Sequence, residues 1–332
     1  MKRLKSEILV VLAAAALALS GCFGADTPQA LDERETYETV ETMQAASLGI
    51  HGMISRIEHG DNVAYVFGSM HAGRAHWFPL AAVVEDAMRR ADVFVFEYDM
   101  SVNYDSPEMV LLVMEHMFLP DGVNLADLLP PDVHAAFVEN INTYDWVNYE
   151  AARAMHPFSV SQLVMYEVSA ELGVLMEFSV DAYVYNFAAR HGMPVLGLND
   201  IAEELAIASD MPEEAMTAFI AGISDKATLL AQGEILVLAD AYEANDMTGI
   251  RGTISDGFAA YRDDPAAAFM RDVLMHQRCV IFADEIERLL RETEEPSTFF
   301  ITVGLAHIIG GEAGQVLNIL RDRGFDVAGV YR

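Results

Sequence analysis

The order of apolar and polar positions near residue 50 predicts a β-hairpin. Residues 52–68, "GMISRIEHGDNVAYVFG", hold two apolar-rich runs around the polar turn "HGDN" at 59–62, a pattern typical of two antiparallel strands joined by a tight turn. The second strand ends at Gly68, and His71 follows three residues later. Glycine lets the backbone turn sharply or approach a ligand closely. The pattern therefore predicts a buried strand that presents a histidine where it leaves the sheet.

An amphipathic helix and a further strand follow this histidine. Apolar residues recur at the helical period within residues 78–92. The next stretch, "VFVFE" at 93–97, has the composition of a short buried strand and ends in Glu97. The order is therefore strand, GxxH motif, helix, and a strand with a carboxylate at its end.

The C-terminal end of the chain repeats this order. "FFITVGLAH" at 299–307 is a strand that carries Gly304 and, three residues later, His307. A helical pattern at 313–324 and a strand pattern at 325–331 follow. The two units predict an α/β fold, with a central sheet, similar β-α-β units at the chain ends and a largely helical middle. Ligands of open α/β sheets bind at the carboxyl ends of the strands, where both histidines are expected.

The middle of the chain, roughly 105–290, has mostly helical patterns. Ser106 and Pro107 form a typical helix start, with a capping residue followed by proline at the first helical position. Residues 179–200 predict a helix followed by a short strand, and residues 265–292 predict a long amphipathic helix. The many methionines of this region are expected to fill the core.

The first residues predict export and a lipid anchor. Within residues 1–21, a basic front precedes an apolar run that is short for a membrane-spanning helix and suits a signal peptide. The run ends in "LSGC", which resembles a bacterial lipobox and implies cleavage before Cys22 and lipids on that cysteine. An ordinary secretory signal with a chance cysteine is the alternative. Residues 22–48 are polar and acidic and are expected to be a tether, with one domain over 49–332.

Charge and cysteine content narrow the possible partners. The whole chain has a net charge of −31, and residues 1–21 contribute +2 from three basic residues and one acidic residue, which leaves −33 for the rest. Such a surface repels phosphate backbones, so no nucleic-acid partner is expected. Once Cys22 is lipidated, Cys279 is the remaining cysteine, and its apolar helical surroundings indicate a buried thiol.

Three residues are candidates for chemistry at the sheet edge. His71 and His307 share one position, after a strand and a glycine, and Glu97 ends a neighbouring strand. Two imidazoles and a carboxylate can hold a divalent metal ion and leave positions open for water. Because no cysteine belongs to the set, Mn²⁺, Co²⁺ and Zn²⁺ all suit it. The alternative is that the histidines only cap strands through backbone bonds.

The same segments resemble a known family. "YVFGSMH" with "FVFE", then "VDAYVYNFAARHGMPVLGL", then "FFITVGLAHIIGGEAGQVLNILRDRGFDV" are similar to the TraB/GumN family, which includes the animal Tiki proteins. The resemblance runs from about Gly52 to Val330. It implies an α/β fold shared with erythromycin esterase and ChaN-like proteins, and for Tiki members a metal-dependent peptidase activity.

Position by position, the resemblance implies five site residues. His71 and His307 correspond to the metal or catalytic histidines, and Glu97 to a ligand or general base. Asp181 matches an aspartate after a glycine-rich turn, and Arg278 matches the arginine of an Arg-Asn pair.

Around the three central residues, two positions depart from the family pattern, and two others could serve a purely structural role. Cys279 stands where the family has the asparagine of its Arg-Asn pair, and Asn199 where many members have glutamate. Asp181 is either a helix N-cap or a residue that supports the site. Arg278 is either in a surface salt bridge or partly buried and paired.

The sequence thus predicts a lipid-anchored, metal-dependent hydrolase on the outer side of a membrane, with a peptide or another small molecule as substrate. A non-catalytic lipoprotein that binds a metal, haem or a signalling peptide is a second hypothesis. A scaffold whose histidines only preserve the turns is a third.

The anchor yields the first testable prediction. Replacing Cys22 by serine removes the thiol that would carry the lipid, so Cys22→Ser is expected to leave the membrane fraction or to remain as uncleaved precursor. Fractionation and the mass of the intact protein measure both outcomes. Unchanged membrane association together with a normal processed mass would contradict the anchor.

Overall fold

The computed structural model describes residues 49–50, 53–103, 106–260, 263–309 and 315–329; for 255–260 it describes the main chain only. The expected signal peptide, Cys22 and the tether of residues 22–48 lie outside these ranges. No helix among the described residues has the length and apolar character needed to cross a membrane.

The centre of the fold is a six-stranded mixed sheet with the order β4-β3-β5-β2-β1-β6. The strands are β1 (Ile54–His59), β2 (Asn62–Ser69), β3 (Val93–Tyr98), β4 (Val195–Asn199), β5 (Thr298–Gly304) and β6 (Val327–Gly329). Strands β4, β3, β5 and β2 are parallel neighbours, whereas β1 is antiparallel to both β2 and β6. The predicted hairpin and the α/β class are confirmed.

Helices cover the sheet and make up the middle of the chain. They are α1 (Ala82–Arg90), α2 (Pro107–Met117), α3 (Leu125–Leu128), α4 (Pro131–Ile141), α5 (Tyr149–Ala152), α6 (Pro157–Glu171), α7 (Val180–Arg190), α8 (Ile201–Ser209), α9 (Glu213–Ala221), α10 (Lys226–Gln232), α11 (Glu234–Glu243), α12 (Met247–Ala260), α13 (Pro265–Phe269), α14 (Arg278–Glu292), α15 (Leu305–Ile308) and α16 (Val316–Asp322). Two 3₁₀ turns are Ala75–Trp77 and Met176–Phe178.

Sheet register brings the two GxxH motifs together. In the parallel β2–β5 pair, Gly68 lies opposite Val303 and Ser69 opposite Gly304. On its other side β5 pairs with β3, the strand that carries Glu97. Since parallel strands end at the same edge of a sheet, the residues that follow β2, β3 and β5 leave the sheet side by side.

The two terminal β-α-β units differ in how they cross the sheet. The unit β2–α1–β3 passes over one strand, β5. Its last strand, β3, lies between β4 and β5 and is parallel to both. The unit from β5 through α16 to β6 passes over β2 and β1, and β6 pairs with the antiparallel β1. The similarity of their sequences therefore reflects a shared strand exit, and the units occupy different positions in the sheet.

Aromatic packing holds the parallel strands and their helices together. The ring of Phe300 on β5 lies between Phe67 on β2 and Phe94 on β3, at centroid distances of 5.9 and 5.7 Å. All three side chains are fully buried. Burial of a side chain of this size stabilises a fold by about 1.5–3 kcal/mol.

The long C-terminal helix predicted for 265–292 is not a uniform α-helix. Residues Met270–Gln277 are π-helical, between α13 and α14. A π segment has a wider turn than an α-helix and is frequent at functional sites. It ends at the residue before Arg278, and so determines which way the first residues of α14 face.

The helical middle has its own ion cluster. The Lys226 ammonium lies 2.8 Å from a carboxylate oxygen of Asp145 and 2.7 Å from one of Glu167, and it also contacts Glu171. Glu167 is only 1 % exposed, and its carboxylate accepts the backbone N–H groups of Asp145 and Trp146. The cluster therefore ties the start of α10 to α6 and to the loop before α5.

This cluster predicts a measurable loss of stability. Lys226→Gln leaves the buried Glu167 carboxylate without its counter-charge, so the free energy of unfolding in urea is expected to fall by about 2 kcal/mol. Arg288→Gln is the matched control, because the Arg288 side chain is 50 % exposed in its pair with Glu285, and exposed pairs contribute less than about 1 kcal/mol. Equal losses in the two variants would contradict this role for Lys226.

Candidate functional site

Glu97 is a buried carboxylate whose two oxygens have different partners. Oε1 accepts the main-chain N–H of Gly304 at 2.6 Å, and Oε2 accepts a guanidinium N–H of Arg278 at 2.6 Å. Burial raises the pKa of Glu97, but the charge of Arg278, the neighbouring imidazoles and the bond from Gly304 outweigh it, and the pKa is lowered to about 2. Glu97 is therefore ionised at neutral pH.

His307 follows β5 and is almost fully buried, at 2 % exposure. Its Nδ1 atom lies 3.2 Å from the sulfur of Cys279, and its Nε2 atom lies 3.9 Å from Glu97 Oε1. The ring of Phe282 packs edge-on against the imidazole at 5.1 Å between centroids. Burial lowers the pKa of His307 to about 3, so the imidazole is neutral and directs one nitrogen at an ionised carboxylate.

His71 is held from behind by Asp181. Its Nδ1 atom lies 3.0 Å from Asp181 Oδ2, and the other oxygen of Asp181 accepts the Ser69 hydroxyl at 2.7 Å. Desolvation lowers the pKa of His71, but the Asp181 carboxylate raises it by more, to about 9. The His71 side chain is nevertheless 52 % exposed, so it is the member of the site that solvent and other molecules reach most easily.

The Cα atom of Gly304 marks the point that these side chains surround. A Cβ atom placed there would lie 3.0 Å from Glu97 Oε1, 3.4 Å from His71 Nε2 and 3.7 Å from His307 Cδ2. A side chain at this position would crowd the carboxylate and fill the space between the histidines. Glycine therefore allows the carboxylate and the two imidazoles to approach the main chain here closely, as the GxxH pattern indicates.

Arg278 joins Glu97 to a second carboxylate. Its guanidinium contacts Glu97 and Glu204, and Asn199 donates to Glu204 at 3.2 Å. The Arg278 side chain is only 14 % exposed, so the surface salt bridge considered from the sequence is wrong. Sequence reasoning missed Glu204, and the only signal near it was the asparagine at 199, which departs from the family pattern and bonds this carboxylate.

Asp181 is not the N-cap of its helix. The cap of α7 is Ser179, whose hydroxyl accepts the N–H of Ala182 at 3.3 Å. Asp181 lies in the first turn, 7 % exposed, and its carboxylate is bonded to Ser69, His71 and Ser179. The N-cap alternative from the sequence is therefore wrong, and Asp181 supports His71.

The carboxylate of Glu97 and the imidazole of His307 are suitable ligands for a divalent ion and lie close together. His71 lies farther from them. The 3.9 Å between Glu97 Oε1 and His307 Nε2 is less than the sum of two metal–ligand bonds, about 4.1 Å, so one ion can contact both atoms. The ring nitrogens of His71 do not lie within 4.8 Å of both Glu97 Oε1 and His307 Nε2. Its Nε2 atom, however, faces the same point beside Gly304.

Within the described ranges, a different set of three residues has carboxylate oxygens within 4.8 Å of one another, close enough to share a metal ion. These residues are Asp145, Glu167 and Glu171. The Lys226 ammonium already lies among them. This set is therefore explained as an ion-pair cluster.

An open cleft of about 660 Å³ lies beside the carboxyl end of β4. It is lined by residues that follow β3, by the last residues of β4 and those after it, and by one face of α14, among them Asp99, Asn199 and Ile281. His71, Glu97 and His307 do not line it. Asn199, which bonds Glu204, connects its wall to the Arg278–Glu97 pair.

Comparison with known proteins agrees with the sequence motifs. Residues 53–328 match the model of the TraB/PrgY/gumN family. The chain is also similar to the proteins named "Uncharacterized protein YbaP" of Shigella flexneri and of Escherichia coli (strain K12), each 22 % identical over 285 residues. These alignments cover 84 % of this chain and 97 % of each relative. Since the family match extends over most of the chain and includes both GxxH motifs, this chain belongs to the TraB/PrgY/gumN family.

Proposed function

We propose that this protein is a metal-dependent hydrolase that acts on peptides at the outer side of a membrane, with a lipid on Cys22 as its anchor. One observation carries the proposal: His71, Glu97 and His307 surround a single point beside Gly304. Each histidine is held from behind through Nδ1, by Asp181 or by Cys279. A histidine held in this way commonly offers Nε2 to a metal ion.

The pairing of Glu97 with His307 supports a cation between these two side chains. An ionised carboxylate and a neutral imidazole nitrogen face each other at 3.9 Å, which is too long for a direct hydrogen bond. A positive charge between the two acceptors would favour their arrangement. A bound divalent ion supplies a polarised carbonyl and a water of lowered pKa, the requirements of hydrolysis at neutral pH.

The residues around the ion have separable roles. Glu97 is better suited to be a ligand than a proton acceptor, because a group with a pKa of about 2 is a weak base at neutral pH. His71 is more accessible, and Asp181 orients its ring, so His71 Nε2 is the nitrogen that can complete the ligand set, once an ion displaces the proton that the raised pKa keeps there at neutral pH. Arg278 neutralises Glu97 Oε2 and keeps the carboxylate in position.

A binding protein is the second candidate, and one observation favours it. Both oxygens of Glu97 already accept hydrogen bonds, and its pKa is far below neutral. Glu97 is therefore not tuned for proton transfer, as is expected of a protein that only holds a metal, haem or peptide. Turnover that depends on added metal distinguishes the enzyme from this alternative.

The proposed function makes a prediction for the two histidines of the site. His71→Ala and His307→Ala each remove one nitrogen ligand, so each is expected to lower bound metal and peptide hydrolysis together, with a fall in turnover of about a hundredfold or more. Metal analysis of the purified protein and a peptide-library assay measure the two quantities. Chelation should abolish hydrolysis, and Mn²⁺, Co²⁺ or Zn²⁺ should restore it.

His191→Ala serves as the control, because His191 is exposed at the end of α7 and bonds a backbone carbonyl. It should leave metal content and turnover unchanged. Full activity in both site variants would exclude the catalytic assignment.

The next prediction separates a ligand from a proton acceptor at position 97. If Glu97 is a ligand, Glu97→Gln weakens metal binding by at least about tenfold and hydrolysis falls with it. If Glu97 accepts the proton, the variant keeps its metal and only turnover falls. Glu204→Gln is the matched control, since Glu204 shares Arg278 but lies outside the set around Gly304. Full turnover in Glu97→Gln would exclude both roles.

A further inference from the structure

Cys279 occupies an unusual position for a buried thiol. Its side chain is 3 % exposed, on the face of α14 that packs against His307. The sulfur lies 3.2 Å from His307 Nδ1 and 3.9 Å from the carbonyl oxygen of the same histidine. An apolar core position requires none of these polar contacts.

The direction of the contact between the Cys279 sulfur and Nδ1 is coupled to which nitrogen of His307 carries its proton. A thiol has one hydrogen to donate, and the His307 carbonyl oxygen is a pure acceptor within reach of it. When the thiol donates to this carbonyl, the sulfur can only accept from Nδ1. In that arrangement Nδ1 is the protonated nitrogen, and the lone pair of Nε2 faces Glu97 and the centre of the site.

We propose that Cys279 is a positioning residue that holds His307 in the Nδ1–H tautomer and so presents Nε2 as an acceptor or metal ligand. The inference rests on the proposed function only in assigning a ligand role to Nε2. The tautomer itself is a property of the chain without metal. Phe282, packed against the imidazole edge, limits rotation of the ring and makes the sulfur the contact that selects the nitrogen.

The experiment reads the tautomer directly. Nitrogen-15 histidine NMR on the full chain without metal assigns protonated and unprotonated ring nitrogens, and His307→Ala identifies the signals of His307. The expected result is Nδ1–H in the unmodified protein and in Cys279→Ser, whose hydroxyl keeps a donor and an acceptor. Cys279→Val keeps a similar volume without the acceptor and should change to Nε2–H or to a mixture.

Zn²⁺ titration of the same proteins gives a second measurement. Affinity should fall by about 10–100-fold in Cys279→Val, the usual effect of losing a group that orients a metal-bound histidine, and should be largely restored in Cys279→Ser. Ile286→Val is the matched control, because Ile286 is fully buried on the same helix and the change removes volume without a polar contact. It should alter neither the tautomer nor the Zn²⁺ affinity.

The outcomes separate this inference from the proposed function. Nε2–H in the unmodified chain, or the same tautomer in Cys279→Val, overturns the role of Cys279 even if the protein binds and uses metal. A change of tautomer in Cys279→Val without Zn²⁺ binding by any form supports the role of Cys279 and overturns the metal-dependent function.

Discussion

The contact between the Glu97 carboxylate and the main-chain N–H of Gly304 is the interaction on which the site depends. It joins the end of β3 to the end of β5 in the buried interior. A buried carboxylate without partners would be strongly unfavourable, since burial alone disfavours the charged form. The backbone donor and the guanidinium of Arg278 together make the charge tolerable. Arg278, at the start of α14, and His307, after β5, both lie beside this one carboxylate.

The geometry at the start of α14 contributes to this arrangement. Arg278 and Cys279 are adjacent at the start of α14, yet one contacts Glu97 and the other His307. The π segment that ends at Gln277 changes the helical phase immediately before them. Phe282, one turn later, lies beneath both, with the Arg278 guanidinium 5.3 Å from its ring and the imidazole against its edge. The first two turns of α14 thus support two of the three central side chains.

Local patterns were sufficient to predict the strands, the hairpin and the histidine exits, because a period of two, a glycine and a buried apolar run are determined by neighbouring residues. The α/β class followed from the order of those elements. The pairing of β6 with β1 could not be predicted, since strand order depends on which surfaces helices cover. Contacts such as Arg278–Glu204 were equally hidden, because side chains from α14 and α8 meet only in the folded chain. The change from α to π geometry within 265–292 leaves no mark in the apolar pattern.

The Lys226 cluster has a consequence for handling the protein. The chain has three lysines, at positions 2, 5 and 226, and the ammonium of Lys226 is bonded to carboxylates with its side chain only 13 % exposed. An ammonium held by three anions resists losing its proton, and acylating reagents attack only the free amine. Amine-directed labels and cross-linkers will therefore find little to react with in the folded domain. Trypsin will cleave the chain almost entirely after arginines. Covalent labelling is better directed at the carboxylates.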